Sequence, residues 1–174
     1  VRRHPRHVYL ALGSNLGDRE AHLRAAVRGL REGGVAVDAV SSLYETPPWG
    51  VLDQPPFRNA AVGGLSSLCP SAILDLAKRL EAEAGRNFGA ERWTARPLDI
   101  DIALIEGERV DEPDLTVPHT LLTERSFVLV PLAEVAGEVR HPLAGMRIRT
   151  LRDLRPASER RAVRRVAGPE WVDG

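Results

Sequence analysis

The sequence predicts an α+β fold in the order βαββαβ, and three observations carry that expectation. Short runs of β-forming residues bounded by glycine or proline recur four times, and two amphipathic segments with apolar residues at three- and four-residue spacing lie among them. Between the second and third strand there is no helical segment, which splits one βαβ unit into the pattern of two.

Residues 7–14 mix β-formers with partial alternation and stop at Gly13-Ser14, which makes them the first strand. Asp18 then precedes a segment in which Leu23, Ala26, Val27 and Leu30 share one face, and Gly33-Gly34 stops it. Residues 35–44 form a second expected strand, which runs into 45–56, where Pro47, Pro48, Pro55 and Pro56 exclude regular structure. A third strand covers 57–65, weakened by Gly63 and Gly64. Pro70 suits the first turn of a helix whose apolar stripe is Ile73, Leu76, Ala77, Leu80 and Ala84, with Gly85 as its stop. An arginine-rich loop, 86–97, leads into 98–105, the clearest strand because its alternation is strict at the start.

Together these elements define a ferredoxin-like antiparallel sheet with its helices on one face. A short helix within 123–137 and a small hairpin plus a turn of helix at 139–155 form a C-terminal helix/hairpin extension. The boundaries expected are one domain over 1–155 and a basic tail over 156–174. Residues 147–165 carry eight arginines against Asp153 and Glu159, a composition that suits a solvated or partly disordered end.

Composition narrows the function. The 174 residues hold 24 basic and 24 acidic side chains, so no dominant field favours nucleic acid, and no apolar run approaches the length of a membrane span. A soluble, cytoplasmic monomer acting on small molecules is expected, with neither nucleic acid nor membrane as partner. Cys69 stands alone, which excludes a disulfide scaffold, and five scattered histidines make no local zinc motif. Lys78 is the one lysine among 24 basic residues, so the Gly-x-x-x-x-Gly-Lys-Ser/Thr phosphate loop is absent. Phosphate would have to be held by guanidinium groups, backbone amides or metal ions.

The sharpest local signal is Asp99-Ile100-Asp101. Alternation puts both carboxylates on one face of the strand, roughly 6 to 7 Å apart, a spacing that suits hard cations in a two-metal phosphoryl site. An ordinary solvent-facing strand would show the same tripeptide. The loop just upstream, with Arg86, Arg92, Trp93 and Arg96 among glycines, resembles a mobile lid that carries phosphate ligands, or else an exposed basic loop. The proline-rich loop with Trp49, followed by Phe57 and Asn59, is stiff enough to line a planar heterocycle. Gly13-Ser-Asn-Leu-Gly17 lacks both the dinucleotide and the phosphate-loop spacing and is expected as a turn with a helix cap.

Five blocks occur in one order: Leu12-Gly-Ser-Asn-Leu-Gly17; Tyr44-Glu-Thr-Pro-Pro48 with Asp53-Gln-Pro55; Asn59-Ala-Ala-Val62; Glu91-Arg-Trp93 through Arg96 to Leu98-Asp-Ile-Asp101; and Leu115-Thr-Val-Pro-His119. In this the chain resembles the 6-hydroxymethyl-7,8-dihydropterin pyrophosphokinase family of folate biosynthesis, over about residues 7–146. The resemblance implies transfer of the β,γ-diphosphate of ATP to the pterin hydroxymethyl oxygen. It implies that Asp99 and Asp101 hold two Mg²⁺ ions, and that Thr46, Pro47, Trp49 and Asn59 meet the pterin edge between Phe57 and Phe127. It places Arg86, Trp93 and Arg96 on a catalytic lid, and Lys78, Glu81, Ile102, Thr116, His119 and Arg125 at ATP. Lys78, Phe88, Thr94-Ala95, Asp114 and Thr120 depart from the family pattern, at positions that concern nucleotide contacts and the lid. The competing expectations are a ferredoxin-like RNA-binding module, which would need aromatics where Asp99 and Asp101 stand, and another two-metal phosphotransferase.

Overall fold

The structure is a computed structural model, and it describes residues 3–48, 53–87, 89 and 94–174. Trp49, Phe88, Arg92 and Trp93 therefore lie outside the described residues. The first strand, β1 (Arg6–Ser14), is followed by helix α1 (Arg19–Gly33), whose first turn is capped where the Asp18 carboxylate accepts from the Ala21 N–H at 3.1 Å. Gly34, at φ +114°, ends the helix in the left-handed conformation, as the glycine pair predicts.

The expected second strand is two: β2 (Ala36–Val40) and β3 (Leu43–Thr46). The break falls at Ser41-Ser42 because the serine side chains compete with the backbone for its own partners. Ser41 Oγ accepts the Ala61 N–H at 2.8 Å and donates to the Ser42 carbonyl at 2.7 Å, while the Ser42 N–H donates to Glu134 at 2.9 Å. Next come β4 (Phe57–Ser66), helix α2 (Pro70–Glu83) and β5 (Asp99–Ile105). These strands pair antiparallel, with β1 between β5 and β4, and with β2 and β3 along the far side of β4.

The sheet carries helices on both faces, where one was expected. Val8, Leu10, Leu12, Ala60, Val62, Ile100 and Ile102 pack with α1 and α2 on one side. Tyr9, Ala61, Ala103 and Leu104 point the other way, onto helix α3 (Ser126–Ala136) and helix α4 (Ile148–Asp153). Both sets are apolar, so neither face can be left in water, which is also why alternation along the first strand is only partial. A two-stranded hairpin, β6 (Val110–Glu112) and β7 (Leu115–Val117), follows β5.

The end of the chain is not the solvated tail its arginines suggest. Helix α5 (Ala157–Ala162) leads to β8 (Arg164–Ala167), which adds to the sheet along β3. Trp171 is then buried and donates its indole N–H to the Ser41 carbonyl at 2.9 Å, while its own carbonyl accepts from Arg24 at 2.7 Å. One indole outweighs the surrounding charge because it carries a large apolar area and its single donor finds a partner. Among the described residues no helix is long and apolar enough to cross a membrane. Trp171→Ala is expected to destabilise the fold by about 3 kcal/mol in urea denaturation. An unchanged midpoint would show that the C-terminal segment does not dock in solution.

Candidate active site

Three strands set the floor of the site. Gly13 on β1 lies directly opposite Asp99 on β5 and directly opposite Asn59 on β4, so the three residues form one row across the sheet. Residues opposite one another share a face, which here is the α3 side, so the Asp99 carboxylate and the Asn59 amide stand on strands about 10 Å apart with no side chain between them. A β-carbon on Gly13 would come within 2.8 Å of Asn59 Oδ1 and 3.5 Å of the Phe57 ring. The glycine is therefore the space in which the site is built.

One pocket follows from this row. It is lined by Thr46, Pro47, Phe57, Asn59, Arg96, Asp99, Arg125 and Phe127, which unites residues expected at the pterin with residues expected at ATP, the lid and the metals. Asn59 is buried and donates from Nδ2 to the Thr46 hydroxyl at 2.6 Å, which fixes the amide. The Arg125 guanidinium lies over the Phe127 ring, 5.5 Å from its centre. Phe127 reaches the pocket because α3 starts there, over the carboxylate-bearing face of the sheet.

Beside the ring-lined end stands a dense charge cluster. Asp99 accepts from Arg86 at 2.9 Å and lies 3.6 Å from the Arg96 guanidinium. Arg86 also pairs with Glu81, a fully buried carboxylate on α2, and Lys78 Nζ lies 3.9 Å from the same group. Removing one partner from such a buried pair would leave a charge without compensation. Asp101 sits two residues along β5, with His119 Nε2 3.9 Å from its carboxylate. Its carboxyl is pushed up to about 7, first by burial and then by the neighbouring Asp99 charge, against the pull of Arg125, Arg86 and Arg96. Burial, then Arg125, hold His119 below its usual range. Its Nδ1 accepts the Leu121 N–H at 3.2 Å, so in the neutral ring the proton is on Nε2, toward Asp101.

The remaining expected residues lie elsewhere. Ile102 is buried in the α1/α2 core, on the face opposite Asp101, and Thr116 is exposed on β7. Trp49 and Trp93, expected at the pterin edge and on the lid, lie outside the described residues.

Asn15 is the residue that sequence reasoning undervalued. It is fully buried, its Oδ1 accepts the Arg96 N–H at 2.8 Å, and its N–H donates to the Arg96 carbonyl at 3.1 Å. Its Nδ2 donates to Gln54 at 2.8 Å and to the Pro55 carbonyl at 3.1 Å. One side chain thus ties the arginine loop to the proline-rich loop. The Gly-Ser-Asn-Leu-Gly block was its only signal, and a turn accounts for that block equally well.

Two carboxylates, several guanidinium groups and a ring-lined slot stand together here, groups whose chemistry suits a polyphosphate beside a flat heterocycle. The model of the 7,8-dihydro-6-hydroxymethylpterin-pyrophosphokinase family matches residues 9–137, and the chain belongs to that family. A 2-amino-4-hydroxy-6-hydroxymethyldihydropteridine pyrophosphokinase of Bacillus subtilis is 47% identical over 132 residues, covering 75% of this chain and 78% of the relative. The enzyme of the same name from Methylorubrum extorquens is 46% identical and 83% covered. The chain spans only 23% of a mitochondrial folate synthesis bifunctional protein of Arabidopsis thaliana, to which it is 45% identical. Among solved structures, a Plasmodium falciparum HPPK-DHPS with pterin and p-hydrobenzoate superposes with a TM-score of 0.64 at 15% identity. That match covers 87% of this chain and 44% of the other, and shows likeness of fold.

Two predictions follow from the floor and the carboxylates. Gly13→Ala is expected to cost about 1 to 3 kcal/mol in thermal denaturation, because the new methyl group must displace the Asn59 amide. Wild-type stability would mean that the amide yields freely. Between pH 3.8 and about 7 the folded chain holds a proton on Asp101 that the unfolded chain has released, so this group's contribution to stability falls as pH rises through that window. With chelator present, Asp101→Asn should then raise stability at pH 8 by about 1 kcal/mol, a figure discounted for solvent reaching the side chain, and by nothing near pH 4. A difference that does not change with pH would contradict the raised value.

Proposed function

We propose that this chain transfers the β,γ-diphosphate of ATP to the hydroxymethyl oxygen of 6-hydroxymethyl-7,8-dihydropterin, releasing AMP and the pterin diphosphate. The observation that carries the reading is the row Asp99, Gly13, Asn59, which sets the charged cluster one strand away from the ring slot. The attacking hydroxymethyl group and the phosphate chain would then meet over Gly13.

The bicyclic ring would lie between Phe57 and Phe127, with the buried Asn59 amide at its hydrogen-bonding edge. With one Nδ2 hydrogen given to Thr46, the Asn59 amide keeps its Oδ1 to accept from a ring N–H and a second Nδ2 hydrogen to donate. A ring lacking that donor would leave a buried acceptor unpaired, which is a strong basis for selection.

At the other end, Asp99 and Asp101 fit hard divalent cations. They are oxygen donors on one strand face, and a bound cation would favour the ionised form of Asp101, which burial first and the Asp99 charge second disfavour. Two protein carboxylates leave most coordination positions to water and phosphate oxygens, the usual arrangement for Mg²⁺. When bound, the ions would supply neutralisation of the polyphosphate charge.

Arg96 and Arg125, both in the pocket wall, would hold phosphate oxygens in a fixed fork. Arg86, now shared between Glu81 and Asp99, would become available to phosphate once cations take its place on Asp99. Closure of the loop that carries Arg86 and Arg96 would exclude water, so that the hydroxymethyl group competes with no other nucleophile. Acceleration on this reading comes from in-line positioning and charge neutralisation rather than from a strong base.

The deciding assay supplies ATP, Mg²⁺ and hydroxymethyl-dihydropterin and follows the nucleotide released. AMP should accumulate, whereas ADP would assign the site to a different phosphotransferase. Asp99→Ala is expected to abolish turnover while leaving the fold intact, and near-normal AMP release would remove Asp99 from the metal role. Arg96→Ala should lower the single-turnover rate roughly a hundredfold while changing pterin affinity much less, as expected for a contact made mainly in the transition state. Equal losses in both would mark it as a simple binding residue.

A further inference from the structure

Residues 138–174 lie beyond the family match, yet part of this segment lines a cavity beside the ring slot. A second cavity of about 270 Å³ adjoins the first and shares its wall. Thr46, Pro47 and Phe127 line both, and the far side of the second is built by Arg155, Glu159 and Val163.

Three contacts make this more than adjacency. The Ser126 hydroxyl, buried at the first residue of α3, donates to Glu159 at 3.1 Å. Arg155 holds the same carboxylate from Nε at 3.1 Å and from Nη2 at 2.8 Å, which keeps it below the usual carboxylate range and therefore ionised. Arg125, the N-cap residue of α3, makes no capping hydrogen bond, and the Ser126 side chain at this helix start is held instead by a carboxylate of the C-terminal segment. On the other wall, β8 pairs with β3 up to Glu45, the residue before Thr46, and Arg164 reaches Glu45 at 3.3 Å.

We infer that the C-terminal segment is a positioning element of the ring slot, in which Glu159 holds Ser126, and through it Phe127, against the bound heterocycle. This rests on the reading of the slot as the pterin site. Phe127 follows Ser126 directly, so a shift of the first turn of α3 moves the ring that covers the ligand. Ribose and phosphates would lie mainly on the Asp99 side of Gly13, so the larger effect falls on the heterocycle, with a smaller one on ATP through Arg125, which directly precedes Ser126.

The test uses the full chain and titration calorimetry. Dihydropterin affinity is measured with a saturating non-hydrolysable ATP analogue, and ATP affinity separately. Glu159→Ala and Ser126→Ala are each expected to weaken dihydropterin binding roughly three- to tenfold, with ATP affinity kept within about twofold. The double variant should lose no more than the weaker-binding single variant, because the two residues act through one bond. Glu159→Gln, which keeps an acceptor for the Ser126 hydroxyl, should restore most of the loss. Unchanged dihydropterin affinity overturns the inference, as do additive losses or parallel losses for dihydropterin and ATP that track a falling Tm. If the wild-type chain binds no dihydropterin at all, the reading of the slot itself fails.

Discussion

Gly13 has Asp99 on one side and Asn59 on the other, and the missing side chain between them is what allows a site on this sheet at all. A sheet sets its strands at a fixed spacing, so residues on alternate strands of one row are held apart at a distance no loop could keep as well. Here that distance separates a charged end from an aromatic end. The Asn59 amide occupies the space beside the glycine, the Phe57 ring closes on it, and α3 delivers Phe127 from above.

The charges at this site are held against their own preferences. Asp99 and Asp101 repel one another, Glu81 is buried, and Arg86 is shared between Glu81 and Asp99. Such groups contribute little net stability, since burial costs much of what pairing returns. On the proposed function, the arrival of a highly charged ligand with cations would satisfy the carboxylates and release the guanidinium groups. The overall charge of zero conceals this, because residues 99–114 hold seven acids and one arginine while the loop before them is basic.

The two loops around the site are joined through Asn15, which hydrogen-bonds the main chain of both. A residue with two donors and an acceptor can couple two segments where a turn glycine cannot, so displacement of one loop is felt by the other. The C-terminal segment lies on the opposite side, with β8 beside β3 and Glu159 at the start of α3, and the cavity next to the slot is thereby walled by parts of the chain more than a hundred residues apart.

Much of the local structure was legible in residue order. The caps at Asp18 and Gly34, the stripe of α2 and the carboxylate face of β5 all follow from short-range rules of spacing and backbone freedom. The partners brought to the pocket were legible only as an ordered set of blocks characteristic of a family. The break at Ser41-Ser42 depends on Ala61 and Glu134, the docking of the tail depends on a buried Trp171, and the role of Asn15 depends on two loops meeting. Each is a long-range hydrogen bond or burial event that leaves no periodicity in the sequence. By itself the sequence determined which segments become strands and helices and which side chains share a face. Only the tertiary structure decided that both faces of the sheet are covered, that the tail completes it, and that Gly13 leaves room for the site. Those outcomes depend on which apolar surfaces find one another once the chain has closed its long loops.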